Sequence, residues 1–347
     1  MSVVHEVAAD TYEPTRLASA LVDPLHAASI LYSVEVFVPA FFALPEFLKK
    51  TNYTVPRDPL DSPFQLWFNT KEHMFEWIHK RPELMQEFNK FMGAYSLSRK
   101  RWMEPGCVPI DEVLANDASK DPDSVFLVDV GGGNGHDLMH FQKNYPDISG
   151  RLILQDLPGT IETAKDKLTP GIEAMAHDFF TPQPIKGARA YYLHSILHDW
   201  PTQKCHEILS NLIPALTPGY SKILINENVI PDQGAYWENT GLDWVMLTLY
   251  SSEERREKIW RELCEGVGLK INRIWEFEKG TESIIECELA ISKDSEVPIV
   301  DGKGELNGKQ NSPRETDGDD VVKDPVVTTD DIPNPPEPST AEVPSSF

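Results

Sequence analysis

The sequence predicts an α/β fold in which a mostly parallel sheet, finished by an antiparallel hairpin, follows a mainly helical region. Three observations carry this reading. Beyond Ser119, apolar runs of strand length alternate with helical segments. The first run leads straight into Gly131-Gly132-Gly133-Asn134-Gly135 and then a helix. The last two runs lie close enough to pair antiparallel across Glu278-Lys279-Gly280.

From about Thr11 to Pro105 the pattern is helical and shows no convincing strand. Pro82 to Trp102 places Leu84, Phe88, Phe91, Met92 and Tyr95 on one stripe at three- and four-residue spacing. Such a stripe is first of all helix core. The strand candidates are Val125 to Val130, Arg151 to Gln155, Ile172 to His177, Ala188 to Leu193 and Lys222 to Asn228. Helices are expected near Asp137 to Tyr145, Thr160 to Lys167 and Thr202 to Leu216. Strands apolar on both faces and separated by helices imply a parallel sheet covered on both sides. Leu269 to Trp275 and Thr281 to Ile291 supply the terminal hairpin.

Charge divides the chain further. Of 347 residues, 55 are acidic and 32 basic, a net of −23, which argues against a nucleic-acid or anionic-membrane partner. Residues 294–347 hold 13 acidic and 4 basic side chains, eight prolines and no aromatic residue except Phe347. That composition cannot bury enough apolar surface to offset ordering, so a disordered acidic tail is expected there. The expected division is a helical region over 1–110, a catalytic domain over 111–293 and the tail over 294–347.

No basic, then apolar, leader opens the chain, and the most apolar window, Val36 to Leu48, contains Pro39 and Pro45 and is too short to span a bilayer. Cys107, Cys205, Cys264 and Cys287 show no paired spacing, which suits neither a disulfide framework nor a zinc site. A cytoplasmic, reducing address is expected.

Chemistry concentrates at the ends of the strands. Glycines are needed where the backbone bends sharply and approaches a ligand at a helix N-terminus. A dinucleotide fingerprint requires glycine three residues after Gly133, where His136 stands. The glycine falls at Gly135 instead, and G-x-G-x-G suits a nucleoside ligand without pyrophosphate. Asp156 ends the second strand, where a carboxylate can accept from both hydroxyls of a ribose, or serve as a helix cap. Asp178 and Phe179 end the third, offering an acceptor for an adenine amino group and a ring to cover the base.

His194-Ser195-Ile196-Leu197-His198-Asp199-Trp200-Pro201 follows the fourth strand. His198 has an ordinary pKa of about 6.5, suited to removing a proton near neutrality. Glu227 ends the fifth strand and Glu254 opens the helix to Glu265. Carboxylates flanking a histidine orient it and stabilise its imidazolium, although Glu254 also suits a helix N-terminus.

Taken in order, VDVGGGNG, LQDLP, HDFF, YYLHSILHDW, INENVIPD, GLDWVML and ERREKIWRELCEGVGL resemble the S-adenosylmethionine-dependent O-methyltransferases of the caffeate and hydroxyindole type, in their fungal secondary-metabolite branch. The likeness spans about Tyr12 to Ser292. It implies a Rossmann-like class I methyltransferase domain with a seven-stranded sheet and an antiparallel terminal strand, after a partial helical domain.

The resemblance further implies S-adenosyl-L-methionine held by Gly131, Gly132 and Gly133, by Asp156 at the ribose, and by Asp178 and Phe179 at the adenine. It places the general base at His198 between Glu227 and Glu254. Phe88, Met92 and Met246 match positions that wall a small aromatic, hydroxyl-bearing acceptor in the family, so part of the helix stripe is expected to face a ligand. At His194 the family usually carries Lys or Arg to help hold the cofactor. Family members also begin with a dimerisation and winged-helix segment that this chain enters partway, implying a homodimer with a reduced interface. Two rival readings are an NAD(P)-dependent oxidoreductase, disfavoured by the glycine spacing, and a weakly active paralogue that binds cofactor or a protein.

Overall fold

The computed structural model describes residues 3–97 and 99–290, and the expected acidic tail lies outside them. Among the described residues there are nine strands: β1 (Val4–Ala8), β2 (Thr11–Pro14), β3 (Val125–Val130), β4 (Arg151–Asp156), β5 (Ile172–Ala176), β6 (Ala190–His194), β7 (Lys222–Glu227), β8 (Leu269–Glu276) and β9 (Ser283–Leu289). Seven of them form one sheet in the order β5-β4-β3-β6-β7-β9-β8. All neighbours from β5 to β7 pair in parallel, while β9 runs antiparallel to both β7 and β8.

Alternate residues of the central strands feed two separate cores, which is why these strands read as continuously apolar. Val128, Tyr191, Leu193, Ile223 and Ile225 pack on one face with helices Thr202–Leu212 and Glu257–Glu265. Leu127, Leu154, Tyr192, Leu224 and Ile284 pack on the other, against helix His136–Asn144, helix Pro158–Ala164 and the segment from Trp102 to Leu114. Because β3, β4, β5, β6 and β7 are parallel, Gly131, Asp156, His177, His194 and Glu227 all emerge at one edge. Reacting groups gather at that edge in such sheets.

The helical region contributes a third core around Tyr32, Val36, Phe64, Met74, Trp77, Met246 and Tyr250. Two expectations fail here. Thr11–Pro14 is a strand, paired antiparallel with Val4–Ala8 through a turn in which Asp10 takes φ 53°. Every residue of that ribbon is exposed, so no apolar alternation marked it in the sequence.

The apolar stretch around Val36 to Leu48 also extends further than its prolines suggested. Helix Pro24–Tyr32, a π-helical turn at Ser33–Phe37 and helix Val38–Lys50 run on as 27 helical residues, long and apolar enough by length and composition to cross a membrane. Pro39 directly follows the π-helical turn, whose altered hydrogen-bond register accommodates a residue without an N–H. Pro45 lies within the helix. A proline there removes one hydrogen bond, a local cost that packing of Ala43 and Phe47 into the core offsets. The run buries Ala28, Tyr32, Val36, Ala40, Ala43 and Phe47 and leaves Ile30, Leu31, Val34, Val38 and Phe42 exposed on other faces. Cys264 and Cys287, far apart in sequence, meet as buried thiols with sulfurs 3.7 Å apart.

Candidate active site

The glycine loop is held from below before any ligand is considered. The N–H groups of Gly131 and Gly132 donate to the Gln155 carbonyl at 2.8 and 3.1 Å, and that of Gly133 to Asp156 Oδ2 at 2.9 Å. Asp156 Oδ1 accepts from the Leu157 N–H at 2.7 Å, and burial raises its carboxyl pKa. Gly131, Gly133 and Gly135 take φ of 76°, 59° and 75°, a region costly for residues with a Cβ. Gly132 is required for a different reason: a Cβ there would overlap the Asp129 carboxylate and a Leu154 methyl.

Asp129 is 1% exposed, and among the described residues neither of its carboxylate oxygens has a hydrogen-bond partner. Burial, then the nearby Asp137, pushes its pKa well above the usual carboxylate range. Two orphaned oxygens directly under a glycine loop form a cradle for a cationic hydrogen-bond donor. The residues therefore fit a nucleoside cofactor bearing an amino group. Phe179 lies half-buried beside Gly131, while Asp178 is exposed and caps its own turn through the Phe180 N–H at 2.9 Å.

His198 lies in a short 3-10 turn, Leu197–Asp199, just past β6. Its Nδ1 is 2.8 Å from Glu254 Oε1 and 3.6 Å from Glu227 Oε2, and its Nε2 is 3.6 Å from Asp199 Oδ1. Burial alone would lower the imidazole pKa. The carboxylates of Glu227, Glu254 and Asp199 outweigh it and hold His198 well above its ordinary value. Burial likewise pushes Asp199 up to about 7.

The two flanking glutamates do different work. Glu254 holds the ring. Glu227, 1% exposed, turns Oε1 to the backbone and accepts from the N–H groups of Ile196, Leu197 and His198 at 3.0, 2.8 and 3.2 Å. His198, Glu227 and Glu254 bring ligand atoms within 4.8 Å of one another, a spacing that could hold a metal ion. The cation these carboxylates already face is the His198 imidazolium, and Glu227 Oε1 is taken up by three amide N–H groups. Glu254 also sits outside its expected helix, which begins at Glu257; its own N–H donates to Asp243 at 2.8 Å.

His194 ends β6 between two carboxylates. Nδ1 is 2.6 Å from Asp137 and Nε2 is 2.9 Å from Glu282, so both ring nitrogens are engaged. Burial opposes the imidazolium, but Glu282 and Asp137 raise the pKa well above its ordinary value. Asp137 also accepts from the Tyr192 hydroxyl at 2.8 Å and has Arg101 3.4 Å away. Next to it Ser195 takes φ 51°, uncommon for a residue with a Cβ and frequent at functional turns.

Aromatic side chains from the helical region close the other side. Phe88 and Met246 belong to the third core, where Phe88 lies 5.3 Å from the Tyr32 ring, and Met92 is half-buried one turn beyond Phe88. His73 stacks on Trp200 at 4.4 Å and 7°, tying this region to the turn that carries His198. The sequence did not single out Asp129, Asp137, Asp199 or Glu282. A charged residue inside VFLVDV, just before the glycines, was the one signal on view. Asp137 and Glu282 acquire meaning only through His194, distant from both in sequence, and Asp199 only through the orientation of its neighbour His198.

Solved structures share this fold. LepI in complex with SAM aligns with a TM-score of 0.75 at 32% identity, over 83% of this chain and 73% of that one. OxaC in complex with sinefungin and meleagrin aligns with a TM-score of 0.75 at 27% identity, over the same shares. A pericyclic reaction enzyme aligns equally well, at 32% identity. The sheet order, the antiparallel β9 and the glycine loop define a class I methyltransferase.

A family model for an O-methyltransferase domain matches residues 110–270. Methyltransferase cfoC of Aspergillus candidus is 42% identical over 284 residues, 82% of this chain and 70% of that protein. O-methyltransferase asqD of Emericella nidulans is 36% identical over 284 residues, 81% and 72% of the two chains. The chain belongs to the S-adenosylmethionine-dependent O-methyltransferase family.

Two predictions follow from this geometry. Gly132→Ala drives a methyl group into Asp129, so calorimetry should show S-adenosylhomocysteine affinity falling at least tenfold; unchanged affinity would remove the loop from the cofactor site. His194→Ala leaves two buried carboxylates without their shared cation, a loss of about 3–5 kcal/mol in urea unfolding at pH 6. Since the folded-state pKa of His194 is raised, its contribution is complete below about pH 6.5 and fades as pH rises through the folded value. The gap between parent and variant should therefore narrow at alkaline pH.

Proposed function

We propose that this chain methylates a phenolic hydroxyl of a small aromatic metabolite, with His198 as general base. The observation that carries the reading is the 2.8 Å bond from Glu254 to His198 Nδ1, which leaves Nε2 as the nitrogen free to take a proton. When bound, S-adenosylmethionine supplies the electrophilic methyl group. Asp129 would hold its ammonium group, the loop from Gly131 to Gly133 and Asp156 its ribose side, and Asp178 with Phe179 its adenine. Phe88, Met92 and Met246 would wall the acceptor.

In this scheme Nε2 removes the hydroxyl proton, Glu254 and Glu227 stabilise the resulting imidazolium, and the freed acceptor oxygen becomes the nucleophile. Magnitudes favour a phenol. From a phenol of pKa about 10 to an unperturbed imidazole of about 6.5, proton transfer costs about 5 kcal/mol. From a hydroxyl resembling water, near 15.7, the same transfer costs about 12 kcal/mol. The raised pKa of His198 lowers both figures and leaves the first the smaller.

Because a pericyclic reaction enzyme shares the fold, the decisive measurement is methyl transfer itself. Purified protein, S-adenosylmethionine and a panel of phenols should yield a methyl ether by mass spectrometry, and consumption of acceptor without added mass would overturn the proposal. His198→Gln should lower kcat by about 10²- to 10⁴-fold while leaving S-adenosylhomocysteine affinity within twofold.

The reactive form is the neutral imidazole, so a raised pKa moves the acid limb of the kcat profile above about pH 6.5. Glu254→Gln removes one stabilising charge and should shift that limb to lower pH while slowing turnover. A parent limb at or below 6.5 would contradict the electrostatics described above.

A further inference from the structure

The turn that carries His198 is gripped from both sides, and its second grip is not one of the residues assigned so far. Arg255 is 0% exposed. Its Nη1 donates to the Leu197 carbonyl at 2.8 Å and its Nη2 to the Trp200 carbonyl at 2.6 Å. Those two carbonyls bracket His198 and Asp199. The N–H groups on the opposite side of the same turn go to Glu227. Among the described residues no carboxylate lies within ion-pair distance of Arg255, and its Nε has no partner. Its charge faces backbone dipoles and, at 5.3 Å, the Trp260 ring.

We infer that Arg255 is a positioning residue for methyl transfer: with Glu227 it clamps the 197–199 turn so that Nε2 of His198 holds its line toward the acceptor. The inference rests on the reading of His198 as base. Three features make the clamp necessary. A turn of three residues makes too few internal hydrogen bonds to fix its own shape. It is entered through Ser195 in a left-handed conformation, which persists only where surroundings impose it. Arg255 is also adjacent to Glu254, so one step of backbone carries both the group that orients the ring and the group that fixes the turn beneath it. That backbone is anchored in turn, because the Ile230 N–H donates to the Arg255 carbonyl at 3.0 Å.

A guanidinium is suited to this because its planar fork reaches two carbonyls at once, whereas a lysine ammonium of the same charge is a point donor. Arg255→Lys keeps the charge and loses the fork. A misplacement of about 1 Å can cost about 10²-fold in rate. Arg255→Lys should accordingly lower kcat by about 10- to 100-fold with S-adenosylhomocysteine affinity within twofold. With the ring no longer held against Glu254 and Glu227, the His198 pKa followed by ¹⁵N NMR should fall toward the ordinary value, taking the acid limb of the kcat profile with it. A folded variant with parental kcat, acid limb and His198 titration would overturn the inference.

Should that variant not fold, amide exchange in the parent protein decides the matter. The clamp requires Ile196, Leu197 and His198 amides to be protected to the level of β7, and exchange at the rate of an exposed loop would overturn it. His198→Gln separates the two proposals. If that variant retains activity the base assignment falls, and the exchange and ¹⁵N data still report on the clamp.

Discussion

Glu227 stands at the end of a central strand, almost wholly buried, with three consecutive amide N–H groups on one of its oxygens. A carboxylate so placed is costly unless its hydrogen-bonding capacity is met. The chain meets that need at Oε1 by folding the segment after β6 into a tight turn over it, while Oε2 faces the His198 ring at 3.6 Å. That turn fixes where His198 begins, Glu254 fixes where its ring points, and the aromatic side chains of the helical region close over the result. Without the buried acceptor the turn has no reason to adopt this shape, and this edge of the sheet loses its geometry.

Two histidines four residues apart show how the same chemistry is put to different ends. His194 has a carboxylate on each ring nitrogen and is consumed by them; it neutralises Asp137 and Glu282 and knits β6 to β9 and to the helix after the glycine loop. His198 has one nitrogen engaged at hydrogen-bond distance and keeps the other at 3.6 Å from its nearest acidic neighbour. Position relative to the sheet accounts for the difference: the end of the strand faces the core beside Asp137, and the turn faces the aromatic wall.

Much of the sheet was legible in the sequence because burial on both faces writes itself as uninterrupted apolar runs, as in Lys222–Glu227. The glycine loop was legible because Gly131, Gly133 and Gly135 occupy backbone regions few other residues tolerate. The ribbon at Val4–Pro14 was not, since an exposed strand has no hydrophobic period to betray it. The helix through Pro39 and Pro45 lies in the region read as helical, but its apolar run was judged too short because the prolines hid its continuation from Pro24 to Lys50. Within the site, residue types pointed to His198, Glu227 and Glu254 together. That Glu227 serves the backbone and Glu254 the ring is a fact of distance, which no spacing along the chain encodes.

The bonds that hold the Leu197–Asp199 turn have a consequence for how the protein can change over generations. Glu227 binds amide groups and Arg255 binds carbonyls, and every amino acid except proline offers both. Side chains at Ile196 and Leu197 are therefore invisible to the interactions that shape their own backbone. Ile196, half-buried beside Gly131, is thus free to change its side chain while the frame stays put, whereas Leu197, wholly buried in the core, is held to its size by packing alone.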